Sequence, residues 1–235
     1  MDDEAFRQAS KSLMEMAAKI SAPLHWQHLD SEGQPVRHNG TAFFLRTKEA
    51  LFGVTAAHVI EGPYGWRWHC ERYGPLPLRL TGWNAATLEL NWDARAVDID
   101  LEIDIATFMI AEWEVQKLGC LIFTDMLEPR PPMVGEWVTY CGFPGKGVRR
   151  PSHLEWIFGA ATATGKLSSV DDRKMRLHID RSELEPALGQ GVPPENYNFR
   201  RHQRRSRSPE FPNRRREAAL VRAWRRHHRR AKHKR

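Results

Sequence analysis

The sequence predicts an all-β fold, an antiparallel sandwich or barrel that follows one N-terminal helix. Short apolar runs bounded by turn residues recur along the chain with no helical stretches between them, a pattern typical of antiparallel β domains. From Val97 to Ile105, apolar and acidic residues alternate strictly, which predicts a half-buried strand. With 235 residues, 41% of them hydrophobic, the chain is long enough to bury a core of this kind.

The predicted elements begin with a helix over residues 3–20, which ends before Pro23. Its apolar face carries Phe6, Leu13, Met16, Ala17 and Ile20. The predicted strands are 41–45, 50–55, 76–80, 87–90, 97–105, 134–140, 156–164 and 175–180. Turn residues at 46–49, 143–145 and 171–172 separate some of these strands.

The net charge of +7 combines an acidic body with a strongly basic C-terminal segment. Residues 199–235 contain 16 Lys and Arg and two acids, which gives +14; the rest of the chain contains 20 bases and 27 acids, which gives −7. One globular domain seldom changes composition so abruptly. We therefore expect 199–235 to be a disordered basic tail. Its charge suits nucleic acid or an anionic membrane; the alternative is a by-product with no partner.

The composition argues against a secreted or membrane-spanning protein. No apolar run reaches the roughly 18 residues that a spanning helix needs. The acidic start, Met-Asp-Asp-Glu, is not followed by the apolar segment of a secretory signal. The cysteines Cys70, Cys120 and Cys141 are odd in number and match no metal-binding spacing. We expect reduced thiols in a cytoplasmic protein.

A candidate general base follows the strand at 50–55. Residues 55–58 read Thr-Ala-Ala-His, and the small residues before His58 allow a tight turn that presents the imidazole at the strand end. Such a histidine can accept a proton near neutral pH, since its ordinary pKa is about 6.5. Taken alone, such a residue is more often an ordinary core or surface histidine.

The surroundings of His58 resemble the trypsin-like (chymotrypsin-fold) serine peptidases. In that family a Gly-Thr/Ser-Gly-Phe-type strand precedes the Thr-Ala-Ala-His motif, and here Gly-Thr-Ala-Phe-Phe-Leu at 40–45 precedes it. Ile-Asp-Ile-Ala at 103–106 resembles the family's Asp-Ile-Ala segment. Gly-Glu-Trp-Val-Thr-Tyr-Cys-Gly-Phe-Pro-Gly at 135–145 resembles its second-barrel strand and Gly-Tyr/Phe-Pro turn. The resemblance covers about residues 36–191.

This resemblance implies two antiparallel β-barrels packed face to face, with the active site in the crevice between them. The N-terminal helix would occupy 1–23 and the first barrel 24–115. The second barrel would occupy 116–198 and lack its final strands, and 199–235 would be the tail.

The resemblance also implies roles for individual residues. His58 would act as general base and then general acid, and Asp104 would orient its imidazole, for hydrolysis of a peptide or protein substrate. Asp100, on the same predicted strand face as Asp98 and Asp104, is the alternative carboxylate. The family's chemistry requires no cofactor and no metal.

The nucleophile of that family is missing from the written frame. The family pattern is Gly-x-Ser-Gly-Gly-Pro, whose glycines allow backbone N–H groups to form an oxyanion hole beside the serine. Ser182 has no glycine beside it, and Ser206 and Ser208 lie among arginines. Cys141 lies inside a predicted strand, which favours a core thiol over a nucleophile. The written chain therefore predicts an inactive peptidase.

A change of reading frame near Phe199 accounts for the missing motif. Residues 200–206 can be encoded as CGG CGG CAT CAG CGG CGG TCC. Reading from the second nucleotide gives GGC GGC ATC AGC GGC GGT CC, which encodes Gly-Gly-Ile-Ser-Gly-Gly-Pro. With suitable codons, the same shift turns residues 224–228 into Gly-Val-Val-Ile-Ile, which resembles the apolar strand after the family's serine. The origin could be a sequencing error, a pseudogene or a natural truncation.

Three classes of function therefore remain open on the sequence. The first is a serine peptidase whose written sequence is broken by a frame change. The second is a non-catalytic homologue that binds peptides in the crevice. The third is a nucleic-acid binder that uses the basic tail on a β scaffold.

Overall fold

The structure, a computed structural model, describes residues 3–124, 130–143, 148–149, 157–171 and 175–178. Over these residues the chain is mostly β, with a curled antiparallel half-barrel, a second antiparallel sheet and one long N-terminal helix. This architecture confirms the predicted all-β class. The predicted tail at 199–235 lies outside the described residues, and the domain boundaries stay predictions.

The described helices are α1 (Asp3–Lys19), α2 (Ala57–Glu61), α3 (Trp66–Tyr73), α4 (Trp92–Arg95) and α5 (Glu112–Lys117). The strands of the first sheet are β1 (Ser21–Leu29), β2 (Pro35–Arg46), β3 (Leu51–Thr55), β4 (Leu78–Thr81), β5 (Thr87–Leu90), β6 (Ala96–Asp100), β7 (Ile105–Met109) and β8 (Phe123–Thr124). The later strands are β9 (Trp137–Gly142), β10 (Val148–Arg149), β11 (Ile157–Phe158), β12 (Ala161–Val170) and β13 (Met175–His178). None of the helices in this part of the chain is long and apolar enough to cross a bilayer.

The first sheet has the order β5-β4-β1-β2-β3-β7-β6, with every neighbour antiparallel, and β8 joins β2 in parallel. The β1–β2 hairpin pairs Ser21 with Phe43 at one end and Leu29 with Pro35 at the other. Since alternate residues of a strand face the same side, this sheet buries one face. The largest fully buried side chains of its core are Leu24, Phe44, Ile60, Leu78, Leu80, Trp92, Phe108, Val115 and Leu118.

The second sheet has the order β13-β12-β9, and β10 and β11 form a separate short ladder. The end of β9 is held against β2 by two hydrogen bonds. The Phe143 N–H donates to the Thr41 hydroxyl at 2.8 Å, and the Asn39 side-chain amide donates to the Phe143 carbonyl. The residues after the predicted second-barrel strand therefore meet the strand that precedes the histidine motif.

Helix α1 forms as predicted, but only part of its predicted apolar face packs inward. Leu13 and Met16, predicted on the apolar face, are 44% and 41% exposed, whereas Ala18 is buried. Trp83 Nε1–H donates to the Ala18 carbonyl at 2.9 Å, so the C-terminal end of the helix lies close to the connection between β4 and β5. Phe6 contacts Trp137 of β9, with ring centroids 4.3 Å apart. Helical periodicity indicated an apolar stripe but not which edge of it finds partners.

The prediction of one half-buried strand over 97–105 is wrong. Strand β6 ends at Asp100 and β7 begins at Ile105, so the chain reverses between them. The Asp100 carboxylate accepts the backbone N–H groups of Glu102 and Ile103 at 2.8 and 3.1 Å, which closes the turn. Four side chains that the alternation assigned to the core are exposed: Val97, Leu101, Ile103 and Ile105.

The sequence did not predict the helices α2 and α3, which lie between β3 and β4. Helix α2 packs closely over Gly40 of β2, where a Cβ atom would lie 2.6 Å from the Val59 side chain. Only glycine leaves room for this approach. Trp66, the first residue of α3, donates its Nε1–H to the Leu76 carbonyl at 2.9 Å. These contacts hold the segment after His58 against the sheet.

Candidate active site

His58 and Asp104 meet because β3 and β7 are antiparallel neighbours. Their ladder ends with Thr55 opposite Ala106. His58 follows the end of β3, and Asp104 directly precedes β7. Both residues therefore lie at the same end of this strand pair. The structure therefore brings the two residues singled out in the sequence side by side.

Both carboxylate oxygens of Asp104 are engaged by His58. Asp104 Oδ2 lies 2.7 Å from His58 Nδ1, and Oδ1 accepts the His58 backbone N–H at 2.8 Å. The Asp104 carbonyl accepts the Ala57 N–H at 3.2 Å. An ionised carboxylate can only accept hydrogen bonds, so Nδ1 carries the proton of the neutral imidazole. The lone pair is then on Nε2, which is the form that a general base requires.

This contact depends on an unusual backbone conformation of Asp104. Its φ is 60°, in the left-handed region that costs most residues about 1–2 kcal/mol but that aspartate tolerates better than most. The conformation turns the chain between the β6–β7 turn and β7, and it directs the carboxylate back toward the start of α2. A β-branched residue here would meet both the strain and the loss of the two hydrogen bonds.

The small residues before His58 have a packing role. Ala57 is completely buried, and Ala56 is the extended residue that caps α2. Thr55 is also buried and donates its hydroxyl to the Thr41 carbonyl at 2.8 Å. Larger side chains at 56 and 57 would push α2 away from the sheet and separate His58 from Asp104.

The outer side of the pair is open to solvent. The His58 side chain is 64% exposed and that of Asp104 is 49% exposed. Within the part of the chain that the structure describes, no residue makes a hydrogen bond to His58 Nε2. Asp100, the alternative carboxylate, closes the β6–β7 turn instead of contacting His58.

Of the residues that the sequence argued against as nucleophiles, Ser182, Ser206 and Ser208 lie outside the described residues. Cys141 lies in β9, and burial raises the pKa of its thiol to about 11, so the thiol stays protonated near neutral pH. Cys70, Cys120 and Cys141 are all free, without disulfides.

Sequence reasoning missed a second cluster of side chains. His28 of β1, His38 of β2 and His69 of α3 offer three imidazole nitrogens that all lie within 4.8 Å of one another. The three histidines are far apart along the chain and match no ligand-spacing motif, so only the strand register and the position of α3 bring them together. Burial lowers the pKa of His38 to about 4.

Comparison with known proteins finds no matching family model and no matching curated protein. Among solved structures, the chain is similar to the active form of the Rv3671c protease from M. tuberculosis, at 16% sequence identity. The match covers 71% of this chain and 70% of that chain, with a TM-score of 0.35. Because this TM-score is low, the site described above rests on the chain's own geometry.

Proposed function

We propose that this chain carries the acid–base half of a trypsin-like serine peptidase, acting on a peptide or protein in the cytoplasm. His58 is the general base, Asp104 orients it, and the nucleophile is the serine encoded one nucleotide out of the written frame. The observation that carries the proposal is the pair of hydrogen bonds that the Asp104 carboxylate accepts from the ring Nδ1–H and the backbone N–H of His58. The written chain is then a pseudoenzyme, with a base and no hydroxyl to deprotonate.

In the proposed reaction, both ring nitrogens of His58 and the carboxylate of Asp104 have a role. The serine hydroxyl gives its proton to His58 Nε2 while its oxygen attacks the substrate carbonyl carbon. The imidazolium that forms is stabilised by the Asp104 carboxylate, 2.7 Å from Nδ1. Nε2 then returns the proton to the leaving amine as the peptide C–N bond breaks. Water repeats the sequence on the acyl-enzyme and releases the acid.

The test restores the reading frame by one nucleotide near codon 199 and exposes the protein to a fluorophosphonate probe, which labels only an activated serine. We expect the restored protein to be labelled at the new serine and the written chain to remain unlabelled. Asp104→Asn should slow labelling by about 10⁴-fold, because the amide favours the wrong imidazole tautomer, and His58→Ala should lower it at least as far.

Asp100→Asn in the restored frame is the matched control. The side-chain amide of this variant keeps an oxygen for the turn bonds to Glu102 and Ile103, so labelling should proceed as in the restored parent. A folded, restored protein that is never labelled would contradict the peptidase proposal and favour the non-catalytic peptide-binding homologue. Equal loss of labelling in the Asp100 and Asp104 variants would refute the assignment of Asp104.

A second candidate function rests on charge alone. The +14 carried by residues 199–235 suits binding to nucleic acid through phosphate contacts, which weaken steeply with salt. We expect heparin to retain the full chain in a salt-dependent manner and to release a form that lacks 199–235 at low salt. Equal retention of both forms would exclude the tail as the binding element.

A further inference from the structure

Three imidazoles meet where α3 packs over the β1–β2 hairpin. In that hairpin Trp26 is opposite His38, and His28 is opposite Val36, so His28 and His38 are diagonal neighbours on the same face. Helix α3 brings His69 over this face, with 3.9 Å between the ring centroids of His38 and His69. One nitrogen from each ring lies within 4.8 Å of the others.

The nitrogens of this cluster lack other partners. The His69 Nδ1–H donates to the Gly65 carbonyl at 2.8 Å, which leaves Nε2 as its free acceptor. His28 Nδ1 and His38 Nε2 are buried, and neither has a hydrogen-bond partner among the described residues. A buried polar atom without a hydrogen-bond partner is destabilising, so these nitrogens favour a bound ligand. A backbone carbonyl that fixes the tautomer of a histidine is the usual support for a metal ligand.

Aromatic side chains pack against the three histidines of the cluster. The Tyr73 ring stacks on His28 at 4.0 Å between centroids, Trp26 stacks on His38 at 5.5 Å, and Trp68 contacts His69 edge-on at 4.8 Å. These contacts restrict the rotation of all three imidazoles. The Arg72 guanidinium lies over the Trp68 and Tyr73 rings. Its positive charge repels a cation bound nearby and so opposes metal binding.

We propose that His28, His38 and His69 bind one divalent transition-metal ion of the zinc class through three neutral imidazole nitrogens. Zinc takes imidazole ligands at about 2.0–2.1 Å in tetrahedral geometry, so the nitrogens lie about 3.3 Å apart around it, and each ring has to move by about 1 Å. Mg²⁺ and Ca²⁺ prefer oxygen ligands and do not fit this donor set. The fourth position is left to water.

The ion would tie α3 to β1 and β2. His58 lies in α2, and α3 is the next helix along the chain. An ion bound to α3 would therefore help to hold the segment that follows the candidate general base. The site itself is separate from the His58–Asp104 pair, because its ligands come from β1, β2 and α3. Metal binding and serine labelling are therefore independent measurements.

The test uses the full chain, stripped with a chelator and titrated with Zn²⁺ by calorimetry, and with Co²⁺ by visible spectroscopy. We expect one equivalent of tight Zn²⁺ and a tetrahedral Co²⁺ spectrum without a thiolate charge-transfer band. His38→Gln and His28→Gln should each weaken this binding by at least about 100-fold, since even the loss of an outer partner of a metal ligand costs 10–100-fold. Mg²⁺ should not compete.

His58→Gln is the matched control, because it removes an exposed histidine outside the cluster and should bind Zn²⁺ as the parent does. Unchanged affinity and stoichiometry in His38→Gln would overturn the proposal, as would a parent chain that binds no Zn²⁺. If the variants do not fold, ¹H–¹⁵N spectra of the parent imidazoles decide: three rings that shift together on Zn²⁺ addition support the site, and their indifference to Zn²⁺ refutes it.

Discussion

The left-handed conformation of Asp104 decides which nitrogen of His58 is free. With φ at 60°, the carboxylate reaches both the backbone N–H and the ring Nδ1 of His58. The proton on Nδ1 and the lone pair on Nε2 follow from this one geometry. The written chain keeps this arrangement, so it can be tested without restoring the reading frame.

Substituting Asp104 by Asn should reverse the His58 tautomer. The amide offers an N–H to Nδ1, and the neutral ring then carries its proton on Nε2. Long-range ¹H–¹⁵N spectra at pH 8 should report Nδ1–H in the parent and Nε2–H in Asp104→Asn. Asp100→Asn should leave the parent tautomer in place. The same tautomer in the parent and in Asp104→Asn would contradict the pairing.

His25 is a buried neutral histidine on β1. The residue is 4% exposed, and its Nε2 is 2.8 Å from the Thr81 hydroxyl, with the Phe158 ring 4.8 Å away. Burial, and secondarily the positive charges of Arg37 and Arg79, lower the pKa of His25 to about 3. The folded chain therefore resists protonation at a position that an unfolded chain protonates near pH 6.5.

The stability contributed by neutral His25 should be complete above about pH 6.5 and lost as the pH falls from there toward 3. Between pH 7 and pH 5 this amounts to about 2 kcal/mol, since each pH unit below the unfolded pKa costs about 1.4 kcal/mol. Urea unfolding of His25→Gln, which cannot titrate, should show a pH dependence smaller by that amount. Parallel pH profiles for the parent and the variant would contradict the assignment.

Arg95 and Glu114 form a bidentate ion pair, with both N···O distances at 2.7 Å, and the Glu114 side chain is only 3% exposed. The hydrogen bonds from Arg95 hold the pKa of Glu114 below its usual range. Arg95→Ala should cost about 3 kcal/mol of unfolding free energy, because it leaves a buried carboxylate unpaired. Arg46→Ala removes the exposed partner of Glu112 and should cost about 0.5 kcal/mol. Similar losses in both variants, measured by chemical denaturation, would refute this distinction.

At the scale of elements, the contact between β3 and β7 holds the two ends of the candidate site together. Gly53 of β3 is opposite Phe108 of β7, and the Phe108 ring lies over the glycine. A Cβ atom at 53 would fall 2.0 Å from Cζ of this fully buried ring. The close approach of the ring therefore requires glycine at this position.

Gly53→Ala should lower the free energy of unfolding by about 2–3 kcal/mol, because Phe108 must leave its position in a packed core. Gly33→Asn is the control: a Cβ atom at this turn position would meet no atoms beyond the adjacent residues within 4 Å, and its φ of 74° is one that asparagine adopts readily. Chemical denaturation of both variants measures the difference. A Gly53→Ala protein as stable as its parent would contradict the packing of β3 on β7.

Most strands were predictable, and the misses have physical causes. The hairpin at 46–49 and the strands near 78 and 87 follow from apolar runs between turn residues. The alternation over 97–105 suggested one strand, but Asp100 closes a turn with its own carboxylate, and turn chemistry prevails over periodicity. Helix α3 was missed because its polar side chains pack through hydrogen bonds and ring stacking, which hydrophobic patterns do not record.

At the scale of the whole molecule, the two histidine sites differ in how far the sequence could predict them. The family resemblance singled out His58 and Asp104, and the sheet brings them together. His28, His38 and His69 come from two strands and a helix that only the tertiary structure unites. The rest of the predicted active site, the serine and its oxyanion hole, falls outside both the written frame and the described residues.

The central claim is that an intact serine motif is encoded one nucleotide out of the written frame, in a chain whose His58–Asp104 pair is already assembled. The gene sequence across codons 199–206 tests this claim most directly. We predict CAG for Gln203, CGG for Arg204 and an arginine codon ending in GG at 205, because these encode Ser-Gly-Gly in the shifted frame. A CAA codon at 203, or an arginine codon at 204 or 205 that ends in A, C or T, would encode no such motif and would contradict the claim.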